Sequence, residues 1–478
     1  MKALTGLITL FLLTGTGSYG QNVLLEGHAQ QFSGKSLMIR EIMNPVTGDS
    51  KIIDTLAVEQ DGQFSLKMKR KKDGWIFINA GIFRVTMYVR PGYGYEIELP
   101  PKAEKSESDI RNPFFKPVIA HIRVTREYLL SDPDKKAEEI NHMARIFSFD
   151  TTLANANEAL MNARIKFKKL DIDSLINSIE DQYADFESSW FADYRRFRYG
   201  LVRINSKEVG LSYIYDNHLK TSTPQTGNPA WYELFSEMFH EFIFYYSRTD
   251  EGRSIKYLVN HEQDLQALKD TLMNHPAVPD SKLAELIIIK ECFDIYFKDY
   301  FYREALLMLL DSIIEKPEIR EHADFARGVK EHLTRLKPGN HPPGLHLPDQ
   351  ENNYRSLNDF RGKYVYLNFC TPDNYSCLKE FPFLKVLHSV HKKHLSIVTV
   401  MVTEEHEEMK TFMSRNAYDW TALFYENDET LLSNFDVRAF PTSYLLDPEG
   451  KIVQSPAALA TEGLEQQLFR IMRSRGDL

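Results

Sequence analysis

Cysteine is scarce in this chain. Three occur in 478 residues, Cys292, Cys370 and Cys377. So low and odd a count excludes a disulfide framework as the source of stability. Long apolar runs are missing as well. None after the first twenty residues reaches the ~20 apolar positions that a membrane-spanning helix needs. Positive charge is not in surplus: 58 Lys and Arg stand against 67 Asp and Glu, a formal net charge of −9. That balance argues against nucleic acid as a partner. There is no Gly-rich phosphate loop, no supported serine-nucleophile elbow, no low-complexity segment and no repeat of fixed period. What remains is ordinary globular material, 43% hydrophobic and 26% charged. The length predicts two to four domains.

The chain begins with a short basic start, an apolar run from Leu7 to Leu13 and small residues from Gly15 to Gly20. This pattern predicts a secretory signal peptide over 1–20, cleaved before Gln21. No cysteine sits at that junction to take a lipid. The expected location is therefore extracytoplasmic, periplasmic or cell-envelope, as a soluble chain without a membrane span. Residues 21–100 alternate in short runs such as Ser36 to Glu41 and Gln63 to Met68. Turn signals separate them at Ser33-Gly34, Thr47-Gly48-Asp49, Asp61-Gly62, Asp73-Gly74 and Pro91-Gly92. Such spacing predicts a small β-sandwich. The basic run Lys67 to Lys72 reads as a solvated hairpin end.

Residues 101–337 change to helical periodicity, with Pro and Gly between the runs at Pro224 to Pro229 and Pro276 to Pro279. The expected helices cover Asp132 to Phe147, Thr152 to Phe167, Leu175 to Phe197, Trp231 to Tyr246 and Lys282 to Ile314, forming an antiparallel helical domain. Aromatics are dense here, as in Trp190, Phe191, Tyr194 and Phe197, or Trp231, Phe235, Phe239 and Phe242. Spacings of three and four assign these rings to helix cores rather than to a groove for a peptide or sugar. Cys292 falls in the apolar run Ile287 to Phe293 and reads as a small buried hydrophobe. The linker Pro338 to Pro343, P-G-N-H-P-P, separates this region from residues 338–478.

Two stretches in this last part carry the chemistry. The first is K-Y-V-Y-L-N-F-C-T-P-D-N-Y-S-C-L-K-E-F-P-F-L, Lys363 to Leu384. It reads as a charge-free buried strand, a polar turn and a helix opening near Asn374. The second is F-D-V-R-A-F-P-T-S-Y-L-L-D-P-E-G-K-I-V, Phe435 to Val453, a proline turn followed by a hairpin. Together they resemble the thioredoxin fold, most closely its TlpA/ResA-like envelope branch. In that family N-F-W-A-x-W-C-x-x-C-x-x-E-x-P follows the first central strand. Asn368 and Phe369 match its start, and Glu380 and Pro382 match its end. Gly344 to Leu347 and Leu357 to Lys363 resemble the lead-in strands of such domains. The segment D-G-Q-F-S-L with V-R-P-G-Y-G-Y-E-I-E-L resembles the β-domain that precedes them. The whole is therefore expected to be multi-domain α and β: an N-terminal β-sandwich, a middle helical domain and a C-terminal α/β/α thioredoxin-like domain.

The resemblance breaks at its reactive residue. Cys377 falls on the second cysteine of C-x-x-C, but Asn374 occupies the first. Asp373 and Cys370 replace the two tryptophans. Disulfide exchange starts with a thiolate at a helix N-terminus, where the first-turn N–H groups favour negative charge. A carboxamide cannot attack, although it makes a good N-cap. The resemblance also implies a cis-proline at Phe440, Pro441 and Thr442. Two readings stay open for it. It either presents backbone to an extended partner chain, together with Tyr375 and Ser376, or only shapes the sheet end.

Cys370 and Cys377 form a substitute pair, C-x6-C. In the family frame they are expected to lie farther apart than the ~4.4–6.8 Å Cα separation of a disulfide. A peroxidase pattern fits at Pro372 and Ser376 and fails at Lys379. His388, His391 and His394 lack the further ligands a metal site needs and read as surface histidines. The expected function is a protein- or peptide-binding or scaffold role at a degenerate redox site, with no metal and no cofactor. The alternative is a thiol-disulfide oxidoreductase working through Cys370 and Cys377.

Overall fold

A computed structural model describes residues 22–477, except 104, 107, 108, 110, 111, 113, 114, 134–141, 167–170, 187 and 427. The expected signal peptide lies outside the described residues. The chain opens with nine strands: β1 (Asn22–His28), β2 (Ser36–Asn44), β3 (Asp49–Ala57), β4 (Gln63–Lys69), β5 (Gly74–Ala80), β6 (Phe83–Val89), β7 (Tyr93–Glu98), β8 (Val118–His121) and β9 (Arg123–Leu129). They form two sheets, ordered β4-β1-β7-β9 and β3-β2-β5-β6-β8. Alternation drives this arrangement. Val23 and Leu25 on β1 turn inward and are buried between half-buried Asn22, Leu24 and Glu26, while Ile76, Phe77 and Ile78 on β5 are buried in a row.

Strand pairing continues past the expected change to helix near residue 100. β8 pairs with β6 and β9 with β7, so strands run on to Leu129. The basic run is not a solvated hairpin end throughout. Arg70 is buried and makes a two-pronged ion pair with Glu41 at 2.8 and 3.1 Å.

The middle region is helical: α1 (His142–Ile165), α2 (Ile172–Glu180), α3 (Ser189–Ser206), α4 (Pro229–Met238), α5 (Leu265–Met273), α6 (Ser281–Ile295), α7 (Arg303–Glu315) and α8 (Arg320–Thr334), with shorter turns between them. The expected first helix falls partly outside the described residues. The expected run Lys282 to Ile314 is divided into α6 and α7. Its break is fixed where Tyr302 N donates to Asn260 Oδ1 at 2.8 Å. Most rings of this region are interior. Phe197, Phe235 and Phe239 are fully buried, whereas Tyr245, Phe297 and Tyr302 are exposed at separate places. Cys292 is buried, and burial pushes its thiol pKa up. The β-strands and these helices share one continuous apolar core, from Val23 to Leu333.

A second core, Leu345 to Met472, belongs to the C-terminal part. After the short pair β10 (His346–Pro348) and β11 (Tyr354–Ser356) come β12 (Tyr364–Cys370), α9 (Tyr375–His391), β13 (Leu395–Met401), α10 (His406–Arg415), β14 (Thr421–Phe424), α11 (Glu429–Asn434), β15 (Thr442–Leu446), β16 (Ile452–Gln454) and α12 (Leu464–Arg475). Leu357–Phe360, expected as strand, is a helical turn closed by a Ser356–Asp359 capping box. The sheet order is β14-β13-β12-β15-β16. β12, β13 and β14 run parallel, while β15 is antiparallel to β12 and β16 to β15. All seven residues of β12 are buried, as a charge-free central strand requires.

The two cores meet through polar contacts. Arg40 Nη2 donates to Asp428 Oδ1 at 3.1 Å, and Arg335 Nη2 donates to Ser433 O at 2.8 Å. His332 and Arg335 also face Asp49 of β3. Arg40 is only 6% exposed, so its charge depends on Asp428. Asp428 Oδ1 also caps α11 by accepting from Thr430 N at 3.0 Å. Asp428→Asn keeps a capping oxygen and removes the charge. It should therefore cost about 1–3 kcal/mol through the stranded guanidinium. Denaturant titration checks this, and an unchanged midpoint would show that the pair contributes nothing.

Candidate functional site

The site forms where β12 ends and α9 begins. On a strand, alternate side chains share a face, and Tyr366, Asn368 and Cys370 share the face that α9 covers. Their polar atoms are tied into the sheet. Tyr366 Oη donates to Ser443 Oγ at 2.8 Å, and Asn368 Oδ1 accepts from Thr399 Oγ1 at 2.7 Å. Thr399 Oγ1 in turn accepts from Trp420 Nε1 at 2.9 Å. The Trp420 ring stacks on Phe381 of α9. This chain of bonds fixes the strand end beneath the helix.

Asn374 starts α9. Its backbone is extended (φ −75°, ψ 122°), and its Oδ1 accepts from Ser376 N at 2.9 Å and Cys377 N at 3.1 Å. Two of the first-turn N–H groups, the donors that would favour a thiolate, are thus committed to a carboxamide oxygen. Such a cap is worth about 1 kcal/mol. Tyr375 and Ser376 are exposed, and Lys379 Nζ lies 4.4 Å from the centre of the Tyr375 ring.

Cys370 and Cys377 are side-chain neighbours, close enough for Cys377 to act on the Cys370 thiol. The reason is local. Strand alternation aims Cys370 at α9. The turn Thr371–Asn374 is short enough to seat the helix directly over the strand end. Cys377, on the inner side of the first turn, then points back toward the sheet. Both residues are 0% exposed, and both are free thiols. Cys370 also receives a hydrogen bond from Asn368 Nδ2 at 3.3 Å. Burial, then the hydrogen bond and charge of Cys377, push the Cys370 thiol pKa well above its ordinary 9.0, with Asn368 pulling the other way. Cys370 is thus held toward its protonated form and both sulfurs are shielded, the reverse of an exposed attacking thiolate.

Beside the pair lies Glu380, 3% exposed. It accepts from Thr461 N at 3.3 Å and from Thr461 Oγ1. Its charge, with burial, helps push up the Tyr366 hydroxyl pKa. Thr461 and Ser443 gave no signal in the sequence, because each is an ordinary hydroxyl far along the chain. Only the family frame, which aligns the Glu380 position, could have prompted a search for its partner.

The Phe440–Pro441 bond is cis. The register Phe369↔Thr442 sets Pro441 alongside Cys370. Phe440 is buried, whereas Pro441 and Thr442 are half-buried. Thr442 Oγ1 donates to Ala439 O at 2.7 Å. Tyr375 and Ser376 at the helix start and Phe440, Pro441 and Thr442 beside the strand thus border one sheet end. Val402, whose N donates to Cys370 O at 2.8 Å, continues that end into a cavity of about 1470 Å³. Asp49, His332, Arg335 and Ser433 also line this cavity, at the junction with the first core.

The histidines after the site do not converge. His388 Nε2 faces Asp419 at 3.6 Å and His391 Nε2 faces Glu465 at 2.6 Å. Both are half-buried rather than free surface groups. Among the described residues no cluster of three or more His, Cys, Asp or Glu side chains could hold a metal, and no helix is long and apolar enough to cross a membrane.

A raised thiol pKa makes stability pH-dependent. Folding favours the protonated thiol, so the contribution of Cys370 is full below a cysteine's ordinary 9.0 and is lost as pH rises above it. Cys370→Ala should flatten the alkaline limb of a stability–pH curve measured by denaturant titration. An identical alkaline limb would contradict the shift.

Residues 338–455 match the AhpC/TSA family. The same part of the chain is similar to the thiol-disulfide oxidoreductase ResA of Bacillus subtilis (strain 168). Identity is 29% over 143 residues, which are 29% of this chain and 77% of that protein. ResA of Geobacillus kaustophilus (strain HTA426) is 29% identical over 144 residues, covering 29% of this chain and 80% of its own. A crystal structure of the thioredoxin domain of a thiol-disulfide oxidoreductase from Bacteroides vulgatus aligns at 29% identity. It covers 28% of this chain and 98% of that one, with a TM-score of 0.26. Residues 338–455 are thus an AhpC/TSA-family thioredoxin-like domain, related in sequence to ResA-type thiol-disulfide oxidoreductases.

Proposed function

We propose that this thioredoxin-like domain binds a protein or peptide partner, or acts as a scaffold, and does not catalyse ordinary dithiol exchange. The observation that carries the reading is Asn374. Its carboxamide stands where relatives place the attacking sulfur and takes up the N–H groups of the first turn. The burial of both remaining thiols supports it. The edge made by Tyr375, Ser376, Phe440, Pro441 and Thr442 is the partner surface in this reading. In this reading the leader expected over 1–20 directs the chain out of the cytoplasm.

The purified chain should leave insulin disulfides intact in a thiol-driven reduction assay. Robust turnover that Cys377→Ala abolishes would reject the reading. Asn374→Cys restores a cysteine to the helix start and should raise turnover by at least about tenfold, since catalysis needs an attacking thiolate there.

One observation favours a second reading: the contact between Cys370 and Cys377. The two thiols would pass two electrons and two protons to a partner disulfide, leaving a Cys370–Cys377 bond and two partner thiols. Mass mapping after mild oxidation decides between the readings. A reversible Cys370–Cys377 bond supports the second, and two thiols that stay free exclude it.

A further inference from the structure

Helix α9 has an outer face that the site shares only at Tyr375. Tyr375, Leu378, Pro382, Phe383, Val386 and Val390 are all exposed along it, Phe383 by 53%, Val386 by 62% and Val390 by 63%. At 3.6 residues per turn these positions make one stripe about 22 Å long. Single exposed apolar residues are ordinary, but a continuous row marks a docking surface.

The charge along this row has one sign. Lys379, Lys385, Lys392 and Lys393 are exposed. The sole carboxylate between 375 and 394 is Glu380, which is buried and held by Thr461. Two acids border the row, Asp419 and Glu465, and each faces a histidine of α9. The neighbouring α12 adds exposed Phe469, Arg470 and Arg473. In a chain of net charge −9, a face that is apolar and cationic with acids only at its border is a local reversal.

We propose that this face docks on a lipid bilayer surface carrying anionic headgroups. Charge complementarity selects an anionic partner and opposes a second copy of the chain, whose own lysines would approach these. Shape then selects the bilayer. The row is a ridge of outward side chains. The cavity of about 1470 Å³ has no α9 residue in its lining, so α9 offers no groove there for a peptide. A deformable surface accepts a ridge. Phe, Tyr, Leu and Val would enter the headgroup boundary while lysine stems lie along it with their ammonium groups at the phosphates. The proposal is independent of how the cysteines are read.

The test is co-sedimentation of the full chain with vesicles of phosphatidylcholine alone and of phosphatidylcholine mixed with phosphatidylglycerol. Binding should occur on the mixed vesicles, fall by at least about tenfold in high salt, and be lost in Phe383→Glu/Val386→Glu. Circular dichroism and thermal melting should show that variant folded. Ile119→Glu, which alters an exposed apolar residue on β8, should bind as the parent does. No binding to mixed vesicles overturns the proposal, and so does binding that the double variant retains. Self-association lost in the double variant, without vesicle binding, also overturns it, because the occupant is then a second copy.

Discussion

A single carboxamide oxygen holds the start of α9. Asn374 Oδ1 holds the N–H groups of Ser376 and Cys377. These are the donors a thioredoxin-type site would turn on a sulfur anion. The bond stabilises the helix end by about as much as any good cap, so the fold loses nothing by the exchange. A carboxamide cannot attack a disulfide, so these first-turn N–H groups support a neutral oxygen and not a thiolate. Everything else around the strand end is built to stay still. Tyr366 is bonded to Ser443, and Asn368, Thr399 and Trp420 form a second buried chain, where each satisfied partner removes a desolvation penalty of about 1–3 kcal/mol.

The two remaining sulfurs illustrate the same balance. Burial beside each other disfavours the thiolate of Cys370, and full cover denies a partner disulfide its approach. Proximity is nevertheless the one condition for bond formation that the pair does meet. The domain thus holds two neighbouring thiols under full cover.

The junction of the two cores places this site in a larger frame. Strands and helices up to Leu333 condense into one apolar mass, while the thioredoxin-like part keeps its own. What joins them is ionic and hydrogen-bonded: Arg40 to Asp428, and Arg335 to Ser433 and Asp49. The linker is tied down as well, with Gly339 N donating to Ile452 O at 2.8 Å and Ile452 N donating to Asn340 O at 2.8 Å. The cavity at this junction reaches Val402, whose N donates to Cys370 O, so the sheet end beside α9 opens here toward the rest of the same chain.

The sequence by itself determined the parts that depend on near neighbours. A charge-free run had to be a central strand, Asn374 was suited to begin a helix, and period-two alternation specified the first sheets. It placed the rings of the middle region inside, because spacings of three and four line one helix face. Tertiary structure alone decided the rest. The strands Val118–His121 and Arg123–Leu129 exist because β6 and β7 offer edges to them, a pairing that no local pattern records. The contact of Cys370 with Cys377, the hold of Thr461 on Glu380 and the burial of Arg70 against Glu41 all depend on how separate elements meet. No local pattern records those meetings, since each joins residues whose separation in the chain says nothing about their separation in space.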